Sequence, residues 1–80
     1  MASISVKIYN ETYTLKTDAN ESKVVNIAHE VDERMNKLAA QRPGMDTTKL
    51  AVWTALDLAA ELAELKAKHE KLVKAIEDEI

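Results

Sequence analysis

The chain has no cysteine, so disulfides, thiolate nucleophiles and cysteine-based zinc sites are excluded. It has one glycine, which is too few to build a phosphate-cradling loop. Histidine is scarce too: His29 and His69 stand far apart, and neither belongs to a metal-ligand pattern such as His-x-x-x-His. Ser3, Ser5 and Ser22 lack any nucleophile-elbow motif around them. No catalysis, cofactor or metal is expected. The most apolar window, Leu50 to Ala63, is broken by Thr54, Asp57 and Glu61 and is too short and polar to span a bilayer. The start, Met1-Ala2-Ser3-Ile4-Ser5, shows no basic region followed by an apolar run, so no signal peptide is expected and the protein reads as soluble and intracellular. Charge of one sign is lacking as well. The net charge is −3 with acidic and basic residues interspersed, which argues against a general nucleic-acid or membrane binder.

What is present is helix-forming sequence. Thr47 to Ile80 contains neither proline nor glycine and is dominated by Ala, Leu, Glu and Lys. From Leu58 the large apolar residues fall at Leu58, Leu62, Leu65, Leu72 and Ile76, with His69 in the one remaining place. The steps alternate four and three, the rhythm of a coiled-coil seam. With Leu58 at a d position, Leu62, His69 and Ile76 occupy a, and Leu65 and Leu72 occupy d. A helix of this span is roughly 50 Å long at ~1.5 Å per residue. A chain of 80 residues cannot cover its far end, so the seam is expected to face another copy; the plainer alternative is a helix folded back on its own head. Eighty residues without disulfides also sit near the size at which one core is marginal, and association supplies the remedy.

Upstream, Ile4, Val6 and Ile8 alternate with polar residues, and Tyr13 and Leu15 do so within Thr12 to Lys16. Two strands follow. A turn at Asn10-Glu11 would set Ile8 opposite Tyr13 and Val6 opposite Leu15, with every apolar residue on one face. A hairpin alone is unstable and must pack on something, the first helix being the candidate. That helix is expected to start after Asp18, with Glu21 completing a capping-box-like pair, and to bury Val24, Ile27, Ala28, Val31, Met35 and Leu38. Pro43 and Gly44 end it, and Asp46 or Thr47 caps the long helix. The fold class is α+β: an N-terminal hairpin on a helix, then a long C-terminal helix forming an intersubunit coiled coil. The expected division is a head over 1–57 and a stalk over 58–80, continuous as one domain.

Between Leu50 and Ala63 the long helix is apolar on more than one side, so its own head can cover one face and a second subunit another. Leu50, Trp53, Leu58, Leu62, Leu65, His69, Leu72 and Ile76 are the expected oligomer-interface residues. Trp53 reads as a core or interface residue before a partner anchor. A histidine in the seam fixes register or is simply tolerated; buried neutral, it would weaken the seam as pH falls through its titration. Arg34, Lys37, Arg42 and Lys49 cluster in sequence around the end of the first helix and can meet an acidic partner.

Three segments resemble one known family in order and spacing. They are Val6-Lys7-Ile8-Tyr9-Asn10-Glu11-Thr12-Tyr13-Thr14-Leu15, Val31-Asp32-Glu33-Arg34-Met35-Asn36-Lys37-Leu38, and Lys49-Leu50-Ala51-Val52-Trp53-Thr54-Ala55-Leu56-Asp57-Leu58-Ala59. Together they are similar to the ZapA family of bacterial cell-division proteins, in its short Gram-positive-type form. Asn10 stands where that family usually has Gly, and Asp57 where it usually has Asn. The resemblance implies a dimer through head and long helix, often a tetramer through paired stalks. It also implies binding and bundling of FtsZ protofilaments at the mid-cell division site. It carries filament binding onto Arg34; Lys37, Arg42 and Lys49 enter from the charge patch alone. Two other readings of the same pattern are a generic coiled-coil adaptor and a small dimeric DNA-binding regulator, the latter opposed by the net negative charge.

Overall fold

In a computed structural model that describes residues 2–79, with side chains described through residue 77, the chain forms two strands and two helices. These are β1 (Ala2–Ile8), β2 (Glu11–Thr17), α1 (Glu21–Gln41) and α2 (Thr47–Glu79). The strands pair antiparallel, with Ile4 opposite Leu15, Val6 opposite Tyr13 and Ile8 opposite Glu11. The expected hairpin is there, but its register is two residues away from the alternation-based one. The turn is Tyr9-Asn10, both at positive φ (49° and 69°), as a tight two-residue hairpin turn demands. A slip of two leaves every side chain on its original face, so alternation could not choose between the registers. The turn is held from outside: the Tyr9 amide donates to Asp32 Oδ1 of α1 at 2.7 Å.

α1 begins at Glu21 rather than just after Asp18. Its N-cap is Asn20, whose side chain accepts from the Lys23 amide at 3.3 Å. Thr17 Oγ1 accepts from the Ala19 amide at 3.0 Å and shapes the lead-in as a local hydroxyl turn. Ala28 and Met35 of the expected stripe are buried and Val24, Val31 and Leu38 half-buried, whereas Ile27 is 61% exposed. The helix ends at Gln41, and Gly44 reverses the chain at φ +87°, a conformation that favours glycine. Asp46 then caps α2, its carboxylate accepting from the Lys49 amide at 2.8 Å.

The four elements touch in series. α1 packs on β1 and on α2, while β2 meets only β1 and α2 meets only α1. Ile4, Val6 and Ala28 form the buried cluster, with Ile8 and Val24 against it. Met35, Leu50 and Thr54 are buried nearer the helix–helix turn. Because α1 lies over β1 alone, Tyr13 and Leu15 on the same sheet face remain 44% and 40% exposed. The protomer measures 51 × 37 × 14 Å with a radius of gyration of 16.8 Å, against about 12 Å for a compact chain of this length. It is little more than one element thick.

Candidate functional site

Two groups of residues were candidates for function, and the fold treats them differently. The first is the basic cluster. Arg34 lies on the face of α1 turned to α2, and its side chain is only 24% exposed. Its Nε donates to Glu30 Oε1 at 2.7 Å, and its terminal nitrogen reaches Asp57 Oδ2 at 3.0 Å and also Glu61. One guanidinium thus gathers three carboxylates from two helices. Hydrogen bonds first to Glu61 and then to Glu30 hold its proton affinity above the usual arginine range. Arg34 is therefore an internal link between α1 and α2 within the protomer. Arg42 is engaged too, its guanidinium 5.1 Å from the Trp53 ring centre, a cation–π distance. Lys37 and Lys49 are exposed. Of the four expected contact residues, Arg42 is also exposed but stacked on Trp53, so Lys37 and Lys49 are the exposed cations with no ion pair or ring contact among the described residues.

Between α1 and α2 these residues border an open cleft of about 580 Å³. Lys37, Arg42 and Trp53 mark its end near the turn, and Glu30, Asp57 and Glu61 its far end. Thr54 also lines it, with a buried Oγ1 that has no hydrogen-bond partner. Among the described residues no group of three or more His, Cys, Asp or Glu side chains is arranged to hold a metal ion, and no helix is long and apolar enough to cross a membrane.

The second group is the seam on α2. Leu62, Leu65, Leu72 and Ile76 are 52–64% exposed in the protomer; His69 is exposed beside them, and Leu58 is half-buried. Trp53 is 45% exposed. Among the described residues Leu50 is the side chain with no exposed surface in the protomer, so it belongs to the protomer's own core. The second apolar face expected on this stretch is now located. Val52 and Leu56, both more than half exposed, continue at heptad spacing through exposed Ala59 and Ala63. This stripe points away from the Leu50–Thr54 side that meets α1. The signal was visible as an apolar excess, but only packing shows which face stays open.

Comparison with known proteins places this arrangement. The family model for Cell division protein ZapA matches residues 4–80. The chain belongs to the ZapA family. Among curated relatives, Cell division protein ZapA of Bacillus thuringiensis (strain Al Hakam) is 37% identical over 73 residues, spanning 91% of this chain and 82% of that protein. Its counterpart from Geobacillus kaustophilus (strain HTA426) is 32% identical over 76 residues, spanning 95% and 84%. Among solved structures, a mutant ZapA dimer from Geobacillus stearothermophilus superposes with a TM-score of 0.78 at 30% identity, covering 95% of this chain and 88% of that one. The ZapA match extends over both the hairpin-helix head and the long helix, so both candidate surfaces belong to the shared architecture.

Proposed function

We propose that this ZapA-family chain is a non-enzymatic cross-linker of the division machinery. It acts as a homodimer that binds FtsZ protofilaments, bundles them, and stabilises the division ring at mid-cell in the cytoplasm. The observation that carries the reading is the open apolar surface of α2, from Val52 and Leu56 through Leu62, Leu65, Leu72 and Ile76. That much aliphatic area on a protomer one element thick calls for a partner of the same kind. The structurally similar Geobacillus stearothermophilus protein is itself a dimer, which supports self-association here. Two seams then pair over residues 58–80, about three heptads, a length that favours a concentration-dependent association of dimers into tetramers.

Two heads on one stalk cross-link by multivalency. Once one head is bound, the second meets its filament at raised effective concentration, so weak contacts suffice for bundling. Lys37 and Lys49 are the proposed filament contacts, since Arg34 and Arg42 are occupied within the protomer. The test is co-sedimentation with FtsZ polymerised in GTP at two salt concentrations, with light scattering on the same samples. Salt-sensitive pelleting with raised scattering is the expected result, and Lys37→Glu with Lys49→Glu should reduce both. Pelleting without extra scattering would mean a single productive head. No pelleting at either salt would overturn the reading in favour of an adaptor for another protein.

A further inference from the structure

We infer that Arg34 is a positioning residue, an ionic strut that sets the angle between the head and the stalk. The serial packing is the starting point. Among the described elements α2 packs only on α1, and the two helices are joined by a short reversal around Gly44. Near that apex the buried side chains Met35, Leu50 and Thr54 hold the helices together. Away from it, Ile27 on α1 and Leu62 and Leu65 on α2 are more than half exposed, so apolar packing no longer fixes the angle. Arg34 sits where one regime passes into the other.

Among the described residues, every ion pair that crosses from α1 to α2 is made by Arg34. Glu30, one turn before it on α1, holds the guanidinium from its own helix at 2.7 Å, which orients the planar fork toward α2. Asp57 and Glu61, one turn apart on α2, receive its far edge. Two acceptors a turn apart resist a tilt of α2 in a way that one cannot. The other charged residues bordering this cleft are Glu33, Lys37 and Arg42. Glu33 is paired with His29 at 2.9 Å and Arg42 with the Trp53 ring.

A strut of this kind adds little to folding, because half-exposed ion pairs exchange hydration for contact at small net gain. Its effect is on geometry. A change of angle at the apex is multiplied along a 33-residue helix, so a loose strut scatters the far end of the stalk relative to the hairpin. Within the cross-linker proposed above, this angle fixes how far apart two heads stand. The strut itself does not depend on that function and is tested without any filament.

The absence of cysteine makes the test direct. Thr14→Cys on the exposed face of β2 and Ala67→Cys on the stalk carry spin labels, and labelled chain is diluted with excess unlabelled protein so that distances within one protomer dominate. The expected result is a narrow distribution for the parent chain. Arg34→Gln and Arg34→Glu should broaden it and move its mean, with the circular dichroism spectrum unchanged. The exchange Arg34→Glu with Glu61→Arg should recover part of the narrow distribution, which a merely fold-stabilising role would not produce. High salt, which shortens screening to ~3 Å at 1 M, should broaden the parent chain and leave Arg34→Gln where it is. A parent-like distribution in Arg34→Gln at both salts overturns the inference. So does broadening of equal extent in a variant remote from the cleft, such as Lys68→Gln.

Discussion

Two leucines on the same helix should respond to the same truncation in opposite ways. Leu50 has no exposed surface within the protomer, whereas Leu65 is 64% exposed. Leu50→Ala removes three buried carbons from a core of very few side chains, a change that costs about 2–5 kcal/mol depending on how far the site collapses. With a denaturant slope of about 1–2 kcal/mol per molar urea, a loss of ~3 kcal/mol lowers the midpoint by roughly 2 M. That is a large share of the ~5–15 kcal/mol available to a whole domain. Leu65→Ala removes the same atoms from surface that only association can cover. At ~25 cal/mol per Å² and two copies per interface, roughly 2–3 kcal/mol of pairing energy is lost, or about a 30- to 150-fold rise in dimer Kd. Sedimentation across a concentration series gives Kd, and urea melts at two concentrations give stability. Leu50→Ala should lower the melting midpoint at every concentration, and Leu65→Ala chiefly at the lower one. A dimer Kd unmoved by Leu65→Ala would mean that the seam stays in water and the stalks do not pair. A Leu50→Ala cost below about 1 kcal/mol would contradict its place as the central core side chain.

Thr54→Val should be neutral or stabilising by up to about 1 kcal/mol in urea melts, because it replaces a buried, unpartnered hydroxyl by a methyl of the same shape. A loss of stability would show that the hydroxyl has a partner in the assembled protein. Asp32→Ala removes the carboxylate that receives the Tyr9 amide and should cost about 1–2 kcal/mol, with faster hydrogen exchange at the hairpin turn. Unchanged exchange there would refute the tether. Tyr13 titrates above the ordinary tyrosine range because the Glu11 carboxylate beside it opposes the phenolate, by charge first and then by accepting its hydroxyl proton at 3.2 Å. Glu11→Gln should therefore lower the Tyr13 midpoint toward about 10, read by ultraviolet absorbance between pH 9 and 12. A midpoint that stays or rises would contradict the assignment.

How legible the fold was depended on the range of the interaction that decides each feature. Alternation at Ile4, Val6 and Ile8 revealed a strand, and the breakers Pro43 and Gly44 with the cap Asp46 bounded the helices, because those signals are local. The hairpin register was not legible. A slip of two preserves the buried face, and the decision fell to Asp32, 23 residues away, which steadies the unusual positive φ of Tyr9. The α1 cap was expected at Asp18, but Asn20 reaches the Lys23 amide while the Thr17 hydroxyl shapes the approach. The basic cluster looked uniform because charge on a helix carries no label for its partner. Only the approach of α2 engages Arg34 in ion pairs across the helices and leaves Lys37 exposed.

The same contacts bear on where the head ends. A boundary after residue 57 follows from the heptad seam, which begins at Leu58. Contacts between α1 and α2 continue past it. Leu50 and Thr54 are buried on the α1 side of α2, and Asp57 and Glu61 continue that stripe at helical spacing into the Arg34 cluster. A cut between Asp57 and Glu61 would divide two acceptors of one guanidinium. The contacts of α1 thus reach Glu61, and Leu62 is the first seam leucine that is more than half exposed in the protomer. The opposite stripe, from Val52 to Ala63, then runs alongside the head and continues toward the seam. Folding of the head and pairing of the stalk therefore share one helix: α1 claims one side of it and leaves the others open. Substitutions that loosen the head, such as Leu50→Ala, should weaken pairing as well, whereas seam substitutions far out at Leu72 or Ile76 should weaken pairing and leave the head intact.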